Sequence, residues 1–276
     1  MKLDETHKTF DTGDCLIHYW VGGPPGAPLV VLTPGAYTDH RMFDPQIASL
    51  QAAYRTLRWD PRGHGLSRPS LRPFSTQLAA EDLIAILDTI GEKEVALIGQ
   101  SIGGNISQEM LFRYPERCTS AILVGCTCST IAPKWWERWL LASFPFFVGL
   151  YPVETFKRKA MDDSASMQTS RDKLREMIAP LGRSDILDIS RGIARAVHGE
   201  PDYSIEHPIL IMNGAHDRLG NISRIVARWR KRDRNSEYIE VADAGHVANL
   251  DNPEAVNAAL LTFLEKHSGA RAEKAR

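Results

Sequence analysis

The segment Glu94–Gly104 constrains the fold of this chain more strongly than any other. It joins a short apolar run to a helix-like stretch through the pattern Gly-x-Ser-x-Gly, with Ser101 between Gly99 and Gly103. A serine at a tight turn from strand to helix has a strained backbone, and its neighbours approach too closely for a Cβ atom. The two glycines therefore predict a sharp turn that projects the Ser101 hydroxyl from the edge of a sheet.

Apolar strand-like runs alternate with longer helical patterns along most of the chain. This alternation predicts an α/β fold with a mostly parallel, twisted sheet that is flanked by helices. The predicted strands are Leu16–Val21, Leu29–Thr33, Arg55–Trp59, Val95–Ile98, Ser120–Val124, Ile209–Asn213 and Glu237–Val241. The predicted helices are Met42–Ala53, Thr76–Ile90, Ile102–Tyr114, Ser223–Arg232 and Pro253–Lys266.

The alternation stops between residues 129 and 204, where the pattern is helical and rich in aromatic residues. We predict a helical cap (lid) insertion over the carboxyl edge of the sheet, where open α/β sheets bind ligands. Residues 1–128 and 205–270 then form the core domain, and residues 271–276 form a flexible tail. Most aromatic residues in such a segment serve packing. The candidates for substrate contact are Tyr37, Trp135, Trp136, Trp139 and Phe146.

Composition limits the partners that we expect. A formal net charge of −1 gives no reason to expect nucleic acid or an anionic membrane. The first residues lack a signal-peptide pattern, and the longest apolar stretch, Trp139–Val153, is too short to span a bilayer. We therefore expect a cytoplasmic monomer or homodimer that acts on a small-molecule substrate. The four cysteines lack the spacing of a zinc site, so we expect neither a metal nor another cofactor.

A serine hydroxyl is a weak nucleophile at neutral pH and needs a base. His246 is the best candidate, because it follows the last predicted strand and precedes the last helix, in a loop at the edge of the sheet. The base in turn needs a carboxylate that fixes its tautomer. Asp217 directly follows the predicted strand Ile209–Asn213, whereas Asp243 lies three residues before the histidine and is the alternative acid.

Acyl transfer also requires two hydrogen-bond donors for the oxyanion. Ile102, which follows the serine, offers one backbone N–H at the start of a predicted helix. The loop after the strand Leu29–Thr33 reads Pro34-Gly35-Ala36. Proline has no N–H to donate, and glycine lets the backbone of this loop approach the site closely. The Ala36 N–H is therefore the candidate for the second donor.

Together these motifs resemble the α/β-hydrolase superfamily over nearly the whole chain outside the insertion. The segments Asp39–Ile47 and Trp59–Ser67 are similar to the group of 3-oxoadipate enol-lactonases. The strand-to-helix turn, the loop Gly214–Asp217 and the sequence Ala244-Gly245-His246 match the wider superfamily.

The resemblance implies a nucleophile at Ser101, an acid at Asp217, a base at His246, and oxyanion donors at Ala36 and Ile102. Two positions depart from the pattern of many relatives. Pro34 stands where histidine is common, and Ile102 stands where methionine is frequent.

These features support three hypotheses about function. The first is a serine hydrolase that cleaves the carboxylic ester or lactone bond of a small apolar or aromatic substrate through an acyl-enzyme. The second is a C–C bond hydrolase for a diketone-type substrate, in which arginines of the insertion bind a substrate carboxylate. The third is a small-molecule receptor, because a fold does not fix a function.

Overall fold

An eight-stranded sheet lies at the centre of the computed structural model, which describes residues 5–219 and 221–268. Its strands are β1 (Glu5–Asp11), β2 (Leu16–Gly22), β3 (Leu29–Thr33), β4 (Arg55–Asp60), β5 (Val95–Gln100), β6 (Cys118–Val124), β7 (Ile209–Gly214) and β8 (Ser236–Val241). Their order across the sheet is β1-β2-β4-β3-β5-β6-β7-β8. Pairing is antiparallel between β1, β2 and β4 and parallel from β4 to β8, which confirms the predicted mostly parallel sheet.

Helices cover both faces of this sheet. In chain order, the α-helices of the described residues are α1 (Asp44–Leu50), α2 (Thr76–Thr89), α3 (Ile102–Arg113), α4 (Trp135–Leu150), α5 (Val153–Ser164), α6 (Gln168–Ile178), α7 (Arg183–Arg195), α8 (Ile222–Arg232), α9 (Ala248–Asp251) and α10 (Pro253–Ser268). Within the part of the chain that the structure describes, no helix is both long and apolar enough to cross a membrane.

The central strand β3 shows why the sheet is buried on both faces. Leu29 and Val31 belong to one apolar cluster, which also contains side chains of α2 and α3. Val30 and Leu32 point to the opposite cluster, which also contains side chains of α1 and α10. Side chains of a strand alternate between the two faces, so a strand covered on both sides reads as a continuous apolar run.

Helices α4 to α7 lie between the neighbouring strands β6 and β7, and we call them the helical insertion. Helix α4 packs against α7, and α5 packs against α6. No strand interrupts the segment from residue 129 to residue 204, all of which the structure describes. The division of the chain into core and cap domains at residues 128 and 205 stays a prediction, and residues 271–276 lie outside the described residues.

Two short elements were not predicted from the sequence. Strand β1 is mostly exposed and pairs only with β2, so its side chains lack the apolar alternation of a buried strand. Helix α9 has only four residues, which is too short for a helical period to be recognised. The predicted helix Met42–Ala53 also begins later, because a 3₁₀ turn at His40–Phe43 precedes α1.

Candidate active site

The backbone at Ser101 has the strained geometry that its sequence context predicts. Ser101 has φ 52° and ψ −120°, between the end of β5 and the first residue of α3. A Cβ atom on Gly99 would lie 2.3 Å from the carbonyl oxygen of Gly103. A Cβ atom on Gly103 would lie 2.1 Å from the carbonyl oxygen of Thr33. Gly99 therefore lets the turn close tightly on itself, and Gly103 lets it pack directly against the end of β3.

Ser101, His246 and Asp217 form one chain of hydrogen bonds. The Nε2 atom of His246 lies 2.9 Å from Ser101 Oγ, and its Nδ1 atom lies 3.0 Å from Asp217 Oδ2. A carboxylate only accepts hydrogen bonds, so Nδ1 carries the proton and Nε2 is free to accept from the serine hydroxyl. The Asp217 side chain is only 1% exposed, and its other oxygen accepts a hydrogen bond from the Leu219 N–H.

Asp243, the alternative acid, does not face the histidine. It is exposed and adopts a left-handed backbone with φ 57° in the turn after β8. The Nδ1 atom of His246 is instead bonded to Asp217. The loop after β7 therefore supplies the carboxylate, because it runs directly beside the histidine loop. A Cβ atom on Gly214 would lie 2.1 Å from the carbonyl oxygen of Gly245.

The two predicted oxyanion donors flank the same cavity as the serine. Ala36 and Ile102 both line the cavity that contains Ser101 and His246. Gly35 lies so close to Gln100 that a Cβ atom would fall 2.0 Å from the Gln100 Oε1 atom. This contact holds the loop after β3 against the start of the strand-to-helix turn.

Gln100 is a residue of the site that sequence reasoning missed. Besides its contact with Gly35, its Nε2 atom donates a hydrogen bond of 3.1 Å to the carbonyl oxygen of His246. One buried amide thus joins the loop after β3 to the histidine loop. Its position next to Ser101 indicates that Gln100 lies near the site. Nothing in the local sequence indicates that its side chain bonds to His246, which is 146 residues away.

Tyr37 connects the oxyanion loop to the helical insertion. Its backbone has φ 65°, which is unusual for a bulky residue, and its side chain is buried. Its hydroxyl lies 2.8 Å from Ser190 Oγ on α7, and its ring meets that of Phe156 on α5 edge to face. Burial raises the pKa of the Tyr37 hydroxyl well above its usual value, so it stays protonated. Tyr37 also lines the cavity, and its contact with a substrate stays a prediction.

The cavity over Ser101 has a volume of about 610 Å³. Its walls are mainly apolar and come from all four helices of the insertion, including Leu141, Phe144, Val148, Phe156, Leu174 and Ile193. Lys159 is the one lysine or arginine among the described residues that line the cavity, and its amine donates to the Asp163 carboxylate at 2.9 Å. A site of this size and polarity suits a small organic substrate.

Four of the predicted substrate contacts do not line this cavity. Trp135, Trp136, Trp139 and Phe146 all lie on α4 and are 83%, 37%, 64% and 65% exposed. The helical period explains this placement for three of them, because residues three or four apart share a face. Leu140, Phe144, Phe147 and Val148 line the cavity, and Trp135, Trp139 and Phe146 lie on the outer face of the same helix. Trp136 shares the side of Leu140 but lies one turn nearer the start of the helix, outside the cavity lining.

One group of side chains in the described residues has the composition of a metal site. It comprises Asp39, His40 and Asp60. The Arg41 guanidinium donates to both oxygens of Asp39. His40 and the Leu66 N–H donate to the two oxygens of Asp60. These carboxylates already have protein donors, so the arrangement is that of a structural hydrogen-bond network.

Comparison with known proteins shows the family to which the chain belongs. The model of the α/β-hydrolase-fold family matches residues 28–253, and this chain belongs to that family. The 3-oxoadipate enol-lactonase 2 of Acinetobacter baylyi is 23% identical over 264 residues, which cover 94% of this chain and 96% of the relative. The predicted resemblance to enol-lactonases is thereby confirmed, and the chain is a hydrolase of the α/β-hydrolase fold.

Solved structures show the same fold at low identity. The enol-lactonase from Burkholderia xenovorans LB400 superposes with a TM-score of 0.78 at 21% identity, over 94% of this chain and 100% of that chain. A thermophilic esterase from Thermogutta terrifontis superposes with a TM-score of 0.80 at 20% identity, over 96% of this chain and 99% of that chain.

Proposed function

We propose that this hydrolase cleaves the ester or lactone bond of a small, uncharged, apolar or aromatic substrate through an acyl-enzyme on Ser101. The observation that carries the proposal is the hydrogen-bond chain from Ser101 through His246 to the buried Asp217, at 2.9 and 3.0 Å. This chain lies at the wall of an apolar cavity, beside two candidate oxyanion donors.

The proposed reaction has two halves. Ser101 Oγ attacks the carbonyl carbon while His246 Nε2 takes the hydroxyl proton, and the N–H groups of Ala36 and Ile102 stabilise the tetrahedral oxyanion. Nε2 then returns the proton to the leaving alkoxide. In the second half His246 activates a water molecule that hydrolyses the acyl-enzyme, and the serine is restored.

Steady-state hydrolysis of short aryl esters and lactones tests this proposal. Wild-type protein should turn over many times, and Ser101→Ala should lose about 10³-fold or more of kcat, because it removes the nucleophile. Ser107→Ala, which removes a buried hydroxyl on α3, the helix that follows Ser101, is the control and should retain activity. Equal rates in wild type and Ser101→Ala would contradict the proposal.

The charge of the cavity supports an uncharged substrate. Lys159 is already paired with Asp163, so a substrate carboxylate would have to compete with that pair. We therefore expect an aryl ester with a terminal carboxylate on its acyl chain to have at least a tenfold lower kcat/KM than the neutral ester of equal length. Comparable values for both esters would show that the cavity accepts anionic substrates.

The arginines of the insertion give little support to hydrolysis of a C–C bond in a carboxylate-bearing diketone. Arg175 donates to Asp162 and Asp172, and Arg171 donates to the carbonyl oxygen of Ala165. Arg191 and Arg195 are exposed, and none of these four is among the described residues that line the cavity.

A further inference from the structure

The carboxylate of Asp251 holds two separate parts of the chain. Its Oδ2 atom accepts hydrogen bonds from the N–H of Gly245 and from the N–H of Ser166, both at 2.8 Å. Its Oδ1 atom accepts from the N–H of Met167 at 3.1 Å. Gly245 directly precedes His246, whereas Ser166 and Met167 form the turn between α5 and α6 of the insertion.

The backbone on the other side of His246 contacts the same turn. The N–H of Val247 donates to the carbonyl oxygen of Ser164, the last residue of α5, at 3.2 Å. A Cβ atom on Gly245 would lie 3.1 Å from this same oxygen, so the histidine loop and the insertion are in close contact. His246 is therefore anchored to the helical insertion through both of its neighbours in the chain.

We propose that Asp251 is a positioning residue that ties His246 to the helical insertion, so that the base is correctly placed only while the insertion is seated on the core. This proposal rests on the proposed function, in which His246 is the base. Asp251 then affects catalysis through its hydrogen bond to Gly245, and it does not contact the reacting atoms itself.

A purely structural role for Asp251 is the alternative. Met167 is the N-cap of α6, and its side chain makes no capping hydrogen bond. A carboxylate beside this N-terminus stabilises the helix through the free N–H groups and the helix dipole. That role predicts a change in stability, whereas the bond to the Gly245 N–H also predicts a change in kcat.

Asp251→Ala separates the two roles. The substitution removes both acceptor oxygens, so all three hydrogen bonds are lost. We expect kcat on an aryl ester to fall about tenfold or more while KM changes less than threefold, because small displacements of a catalytic group are costly. Glu254→Gln, which removes an exposed negative charge three residues away, should match wild type.

Ser166→Pro tests the connection from the side of the insertion. It removes one N–H donor and leaves Asp251, Gly245 and His246 intact. Ala165 has φ −123° and ψ 144°, a conformation compatible with a following proline. We expect this variant to lower kcat as well. A folded Asp251→Ala with kcat within twofold of wild type, or a folded Ser166→Pro with unchanged kcat, would overturn the proposal.

Amide hydrogen exchange provides a readout that does not depend on turnover. In Asp251→Ala the protection of the Gly245 amide and of the Ser166 and Met167 amides should fall together, because one carboxylate accepts hydrogen bonds from all three. Loss of protection confined to residues 166 and 167 would overturn the proposal even if the protein hydrolysed no ester. If wild type hydrolysed no ester but all three amides lost protection together in the Asp251 variant, only the proposed function would be contradicted.

Discussion

The carboxylate of Asp217 has one function in the site that no neutral side chain reproduces. It accepts a hydrogen bond from the Nδ1–H of His246 and thereby leaves Nε2 free to accept a hydrogen bond from the Ser101 hydroxyl. An amide at this position can donate to Nδ1 and thus favour the tautomer that carries its proton on Nε2.

Asp217→Asn should consequently lower kcat by about 10³- to 10⁴-fold with a small change in KM, as is typical when the acid of a serine triad is replaced. Asp243→Asn should stay within twofold of wild type, because that side chain is exposed. Steady-state kinetics of both variants on one aryl ester measures the difference. Similar losses in the two variants would contradict the assignment of the acid.

Sequence reasoning places some residues of this site and misses others for a physical reason. Ser101, Asp217 and His246 each follow the end of a predicted strand, and the carboxyl ends of parallel strands meet at one edge of the sheet. Gln100 bonds to His246, and Asp251 bonds to Ser166. Both partners are distant in sequence. Such contacts leave no periodic pattern and need three-dimensional coordinates.

Helix α4 is apolar on both of its faces. The sequence of the helix could therefore not reveal which aromatic residues face the cavity. Three of the residues predicted to contact substrate lie on the outer face. Phe144 and Val148 face the cavity, whereas Trp135, Trp139 and Phe146 lie outside it. An amphipathic helix would have indicated its buried face through polar residues on the other side.

Substitutions on the two faces of α4 should have different effects. Phe144→Ala enlarges the cavity and removes an apolar contact, so KM for a neutral ester with a medium-length acyl chain should rise at least threefold. Trp139→Gln should leave kcat and KM within twofold of wild type, because this side chain is 64% exposed and lies outside the cavity. Kinetics over a series of acyl chain lengths measures both. An increase in KM for Trp139→Gln equal to that for Phe144→Ala would contradict this assignment of the faces.

The stability of the whole molecule should depend on His64, which is fully buried in the turn after β4. Its Nδ1 atom lies 3.1 Å from the carbonyl oxygen of Arg62, and its Nε2 atom has no hydrogen-bond partner among the described residues. Burial lowers the pKa of His64 below its ordinary value of 6.5. Between the lowered pKa and 6.5, the unfolded chain binds more protons than the folded chain, so the free energy of unfolding decreases as the pH falls through this range.

His64→Gln should reduce this pH dependence. Glutamine does not titrate, so the contribution of this side chain, at most about 1.4 kcal/mol per pH unit, disappears from the slope. Urea unfolding at pH 7.5 and pH 5.5 would measure it, with wild type losing more stability than the variant between the two values. Parallel losses in both proteins would assign the pH dependence to other groups.

The fold itself could largely be predicted, because buried parallel strands and long helices have strong patterns. All seven predicted strands occur within the observed sheet, and Pro253 begins α10 as predicted. Strand β1 was missed because it lies at the sheet edge with mostly exposed side chains. The order of the strands in the sheet was not predicted, since local patterns do not determine which strands are neighbours.

The two ends of the helical insertion leave the sheet from adjacent strands, since β6 and β7 pair along Ala121↔Ile209 to Val124↔Met212. Insertions of different length can therefore be exchanged at this point during evolution without altering the register of the sheet. A transplanted insertion would still need a polar partner for the Tyr37 hydroxyl and two backbone N–H groups for Asp251. Substrate range in this protein can thus diverge by recombination of one segment, provided that those two attachment points are inherited with it.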